Sequence, residues 1–124
     1  MDTQPAPVVL VVEDETFTRM DAVDAISDAG LETLEAGDAC EALDVLKGHP
    51  QVSVLFTDIN MPGPMDGLAL AARVHDLRPD VELILTSGAR KIPDDEMPDN
   101  GTFLPKPYGS QQLITLINRK AHEA

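Results

Sequence analysis

One cysteine, no tryptophan and only four other aromatic residues leave this chain without several kinds of chemistry. A lone Cys40 excludes an intramolecular disulfide and suits a reducing compartment. Aromatics at 3% offer little for a flat ring cofactor to stack on. Basic residues are also scarce: 9 Lys and Arg stand against 22 Asp and Glu, a formal charge of -13. That balance repels nucleic acid and anionic membranes, so neither is expected as a partner, and it favours proteins with a basic face. No apolar run approaches the ~20 residues that span a bilayer. The start, "MDTQPAPVV", lacks the basic region of a secretory signal. A cytoplasmic protein is the expectation.

What the chain does have is material for a core. Hydrophobic residues make up 43% of 124 residues, enough for one domain over 1–124 without metal or disulfide staples. Residues 1–6 are expected to be a disordered tail. "VVLVV" (Val8 to Val12) and "VSVLFT" are apolar runs with little alternation, the mark of strands buried on both faces. "VELILT" is a third such run, while "LETLEA" alternates and "TFLP" is short. Between them lie helical stretches: roughly Thr16 to Ala29, then a stripe of Ala39, Ala42, Leu43 and Leu46 capped by Asp38. Gly67 to Leu77 follows, with Leu70, Val74 and Leu77 on one face. Last is a helix capped by Ser110 with Leu113, Ile114, Leu116, Ile117 and Ala121 inward. "SGARKIPDDEMPDNG" stands where another helix is due, but its prolines leave that fourth helix short or irregular. The order predicts an α/β doubly wound five-stranded parallel sheet. Pro105 cannot donate to a sheet ladder, which puts the fifth strand at an edge, as in the flavodoxin-like order 2-1-3-4-5.

In such sheets ligands collect at the carboxyl ends of the strands. Those ends deliver Glu13 and Asp14, Asp58, Thr86 and Ser87, and Lys106. Carboxylates ~4 Å apart repel by about 1 kcal/mol in water and about 4 kcal/mol at an effective dielectric of 20. A hard divalent cation such as Mg2+ would compensate, with Lys106 adding positive charge. The cation, Lys106 and Thr86 together could hold a tetrahedral anion. A carboxylate can itself be the nucleophile in phosphoryl transfer, and Asp58 lies centrally among these groups.

"VVEDE", "LFTDINMP…MDG", "LILTSG" and "FLPKPY", in that order, resemble the receiver domain of two-component response regulators over nearly the whole chain. The resemblance implies that Asp58 accepts a phosphoryl group from a histidine kinase or a histidine phosphotransfer protein. Glu13, Asp14, Asp58 and the backbone carbonyl of Asn60 would bind Mg2+, with Mn2+ as a substitute. Thr86 would bond the phosphoryl group, Lys106 would neutralise it, and Ser87 would lie beside them. Phe103 matches the family's aromatic switch position, and the Lys106-Pro107 peptide is expected to be cis. The output is expected to be a contact with a downstream protein, or onward phosphotransfer to a histidine phosphotransfer protein, since only about one helix follows Lys106. The module is then a stand-alone, phosphorylation-controlled one with no separate substrate to turn over.

Three other readings compete. An aspartate-nucleophile phosphohydrolase of the haloacid dehalogenase type usually has a second aspartate where Asn60 stands. A flavodoxin needs a phosphate loop where this chain has "VEDET". A receiver-like domain that is not phosphorylated has no need of the full set of acids, Thr86 and Lys106. "MPGPMDG" carries one residue more than the family usually has there, so the loop is expected to bulge without moving Asp58. A small Gly88 would leave the site open to water. Glu15 reads as an acidic residue at the start of a helix. Phe103 doubles as core packing, and Cys40 reads as a helix residue at the core margin. His49, His75 and His122 read as solvated, and the loop methionines as packing residues.

Overall fold

The apolar runs become the middle of a sheet in the computed structural model, which describes residues 6–88 and 92–123. β1 (Val8–Val12), β3 (Val54–Asp58) and β4 (Glu82–Ser87) are buried at every position. Their lack of alternation has a direct cause, since helices cover both faces of a parallel sheet. β2 (Glu32–Ala36) and β5 (Gly101–Pro105) are the less buried edges. All pairings are parallel in the order β2-β1-β3-β4-β5. Proline at the end of β5 thus costs no ladder bond within the sheet. The tail expected at 1–6 falls outside the described residues except for Ala6, which is exposed.

The period-2 rule divides the core in two. Val9, Val11, Phe56 and Ile84 face α1 (Thr16–Asp28) and α4 (Ser110–Glu123), meeting Ala22, Ile26, Leu113 and Ile117. Leu10, Leu55, Leu83 and Leu85 face α2 (Ala39–Gly48) and α3 (Gly67–Leu77), meeting Ala42, Leu70 and Val74.

Several helix details differ from expectation. Leu77, read as inward, is 58% exposed, because α3 ends there and its last side chain overhangs the core. Ala29 is exposed and caps the C-terminus of α1, while Val23 joins the packing instead. Ser110 is the first residue of α4 and not its cap. Gly109 takes that place: its carbonyl accepts from Leu113 N–H (3.1 Å), and Gln112 Oε1 accepts from its N–H (3.3 Å). Asp38 does cap α2, accepting from Glu41 N–H at 2.8 Å. Cys40 is exposed and not at the core margin. His75 is not fully solvated, since its Nδ1 is buried without a partner. His49 Nδ1 lies 2.8 Å from the Val45 carbonyl.

Between β4 and β5 the described residues hold only one 3-10 turn, Asp94–Glu96, entered from Pro93, whose carbonyl accepts from Glu96 N–H. Residues 89–91 of that segment lie outside the described residues. Ile92 is buried in the α2–α3 side of the core, which ties the irregular segment down.

Candidate functional site

β3 is the post on which the site stands. Asp58 ends it, pairing with Thr86 on β4 in the register. The backbone just beyond is locked, because Ile59 N–H donates to the Thr86 carbonyl (2.9 Å) and Gly67 N–H to the Ile59 carbonyl (2.9 Å). Gly67 has to be glycine. A Cβ there would collide with the Asp58 carbonyl oxygen and lie 2.7 Å from Asp58 C and 2.8 Å from Ile59 Cα. Asp66 then caps α3 by accepting from Ala69 N–H (2.9 Å). The "DG" pair therefore starts a helix directly against the back of Asp58.

The intervening loop bulges outward. Pro62, Gly63 and Pro64 are exposed, and Gly63 has φ 99, a conformation few other residues adopt. Met61 is buried and Met65 packs on the core, so the two methionines pin the loop on either side of the exposed Pro62, Gly63 and Pro64. The bulge leaves the Asp58–Thr86 register intact.

β1 delivers the acid pair. Glu13 is buried and Asp14 exposed. One carboxylate oxygen each from Glu13, Asp14 and Asp58 lie within 4.8 Å of one another. Glu15 stands apart as the N-cap of α1, accepting from Thr18 N–H (2.9 Å), which holds its carboxyl below the ordinary range. Lys106 reaches in from beyond β5. Its Nζ is 3.3 Å from both Glu13 Oε1 and Asp58 Oδ2. The Lys106-Pro107 peptide is cis.

The charges press on one another. Burial pushes the Glu13 carboxyl up, and the Asp58 charge adds to it, against the Glu15 N–H and Lys106. Burial works against the Lys106 ammonium, but Glu13 and then Asp58 more than offset it and leave it above the ordinary value. One ammonium does not balance three carboxylates. An all-oxygen donor set of this spacing fits a hard divalent cation.

Thr86 Oγ1 is buried and has no hydrogen-bond partner. A buried hydroxyl left so costs free energy, and here the strand register sets it next to Asp58. Asn60 N–H donates to Asp58 Oδ1 (3.3 Å), and Asn60 Nδ2 donates to Ser87 Oγ (3.0 Å). Phe103 sits apart: it pairs with Leu85, one residue before Thr86, and packs half-buried against the α2–α3 side of the core.

Two contributors carried no role assigned from the sequence, although Tyr108 closes the "FLPKPY" motif. Arg19 on α1 donates from Nη1 to the Glu13 carbonyl (2.8 Å) and from Nε to Glu35 Oε1 (3.1 Å). Tyr108 meets Phe56 edge-on, with ring centroids 5.7 Å apart.

The comparisons with known proteins bear on the family and the fold. Residues 9–118 match the response regulator receiver domain model. The response regulator receiver protein CpdR of Brucella abortus is 31% identical over 114 residues, spanning 90% of this chain and 93% of that protein. Sensor kinase CckA of the same organism is 34% identical over 123 residues, but this chain spans only 13% of its length. Among solved structures, the receiver domain of the hybrid histidine kinase CckA superposes with TM-score 0.79 at 29% identity, covering 92% of this chain and 98% of that one. A CheY-like receiver from Methanospirillum hungatei reaches 0.85 with 96% of both chains covered; at 23% identity it speaks to the fold alone. The phosphohydrolase and flavodoxin readings lose their ground here. The chain belongs to the response regulator receiver domain family and is a receiver domain of a two-component system.

Proposed function

We propose that Asp58 accepts a phosphoryl group from the phosphohistidine of a histidine kinase or histidine phosphotransfer protein, and that this changes the surface offered to a downstream protein. The observation that carries the reading is the buried Asp58 carboxylate, tied to Lys106 beside the unpartnered Thr86 hydroxyl. An Asp58 oxygen forms the new P–O bond as the P–N bond breaks, and the departing imidazole takes up a proton. Thr86 Oγ1 gains the hydrogen-bond partner it lacks. Lys106 balances the added negative charge, and the Asn60–Ser87 hydrogen bond holds the rim of the site. Glu13, Asp14, Asp58 and the Asn60 carbonyl would hold Mg2+, or Mn2+ in its place. When bound, that ion supplies charge neutralisation and orients the phosphoryl oxygens.

Residues 1–124 act as one receiver, with no substrate of their own to turn over beyond the phosphodonor. Phe103, half-buried on an edge strand, would follow Thr86 when the hydroxyl is engaged. A groove of about 820 Å3 between α1 and α4 opens beside Lys106 and offers the donor an approach. Among the described residues no helix is long and apolar enough to cross a membrane, and we place the protein in the cytoplasm with its kinase.

Intact mass after treatment with acetyl phosphate and Mg2+ tests the reading. One added phosphoryl group is expected, absent after EDTA and absent in Asp58→Asn. Labelling that survives Asp58→Asn would sink the assignment. No labelling of the wild type by acetyl phosphate or by a phosphorylated kinase would favour a receiver that works without phosphorylation.

A further inference from the structure

The two acids of the β1 end are adjacent in sequence, so one peptide plane joins them. Its oxygen is the Glu13 carbonyl. That plane is rigid, so fixing its orientation constrains the two backbone rotations, ψ of Glu13 and φ of Asp14, on which the directions of both side chains depend. Glu13 N–H donates to the Ala36 carbonyl of β2 (3.1 Å), and its carboxylate accepts from Glu15 N–H (3.1 Å) and Lys106 Nζ (3.3 Å), which leaves its own carbonyl to be held. The residue has left β1 and has not yet entered α1.

Arg19 holds that carbonyl. It sits in the first turn of α1, where its own N–H donates to the Glu15 carbonyl (2.9 Å). Its guanidinium is fixed at one corner by Glu35 of β2, Nε to Oε1 at 3.1 Å, and at another it donates to the Glu13 carbonyl, Nη1 to O at 2.8 Å. Glu35 lies opposite Val11 in the register, so the brace is anchored in the same strand pair that carries Glu13. A planar guanidinium offers both donors in a fixed fork, which a lysine cannot do.

We propose that Arg19 is a positioning residue for the metal site: it holds the Glu13-Asp14 peptide plane so that both carboxylates face Asp58. This rests on the functional reading above. Charge alone makes the opposite demand, since a cation near three carboxylates weakens the binding of another cation. Positioning and electrostatics therefore predict changes of opposite sign when the guanidinium is removed.

Mg2+ affinity measured by calorimetry on the full chain separates them, with melting in EDTA as the check on folding. Arg19→Met keeps an apolar stem and loses the charge; Arg19→Lys keeps the charge and loses the fork. Both are expected to weaken Mg2+ binding about 10-fold or more, as loss of a group that orients metal ligands typically does. Tighter binding in Arg19→Met, or unchanged affinity in both variants, would overturn the assignment. If Arg19→Met does not fold, Arg19→Lys decides alone by the same criterion. Wild-type protein that binds no Mg2+ would overturn the functional reading and this inference together, whereas normal wild-type binding with unaffected variants overturns only this inference.

Discussion

Tyr108 is the one tyrosine in the chain, so its phenol can be titrated without interference. Burial raises its pKa above the ordinary 10.0; Lys106 opposes that, and Glu13, Asp58 and Asp21 add to it. The folded protein therefore keeps a proton that the unfolded chain has released. The resulting sign is that Tyr108 costs no stability below pH 10 and lowers stability as pH rises from there through its folded-state pKa. Ultraviolet titration of the native protein should place the phenolate midpoint above that of the urea-unfolded chain. Coincident midpoints would mean the ring is not held against Phe56. At this scale Asp58, Glu13, Asp14, Thr86 and Lys106 were legible because each ends a recognisable strand or follows it directly. Tyr108 and Arg19 were not, because their roles come from what lies across from them and not from any pattern in their own segment.

At the scale of elements, glycines separate the tight junctions from the loose ones. Gly67 starts α3 pressed against the Asp58 carbonyl, whereas a Cβ at Gly48, the last residue of α2, would meet nothing within 4 Å. Gly67→Ala should destabilise by about 1–3 kcal/mol, as overpacking does, and impair phosphoryl uptake, because the strand end carrying Asp58 must shift. Gly48→Ala should be neutral or stabilise by about 0.4–1 kcal/mol. Urea denaturation of both variants, with labelling of the first, checks the pair; equal stabilities would refute the close junction. Periodicity located α1 to α4 to within a residue or two, and Pro93 and Pro98 announced the irregular segment. Gly109 caps α4 in place of Ser110 without any side chain of its own: its carbonyl accepts from Leu113 N–H and its N–H donates to Gln112 Oε1, groups that composition does not single out.

Across the whole molecule, a buried ion pair lies at the opposite end of β4 from the site. Glu82 opens β4 and Lys120 sits near the end of α4, Nζ to Oε1 at 3.1 Å, with both residues about 95% buried. Removing one partner leaves a buried charge unmatched, so Glu82→Gln should cost about 3–5 kcal/mol. Replacing both, as in Glu82→Leu with Lys120→Leu, should be neutral or stabilise by about 1–4 kcal/mol. Chemical denaturation reads both results, and a cheap single variant would mean that water reaches the pair. Nothing in "VELILT" marks Glu82 as half of a buried pair. Only the packing of α4 across the sheet gives it a partner 38 positions away in sequence.

The sequence by itself determined the order of strands and helices, the edge position of β5 and the set of groups at the carboxyl end of the sheet. Those follow from local rules: which runs are apolar, at what period, and where proline and glycine interrupt them. Tertiary structure decided the rest. It brought Lys106 onto Glu13 and Asp58, left Thr86 Oγ1 without a partner, braced Glu13 with Arg19 and matched Glu82 to Lys120. Each of these depends on distances between segments that no local pattern encodes.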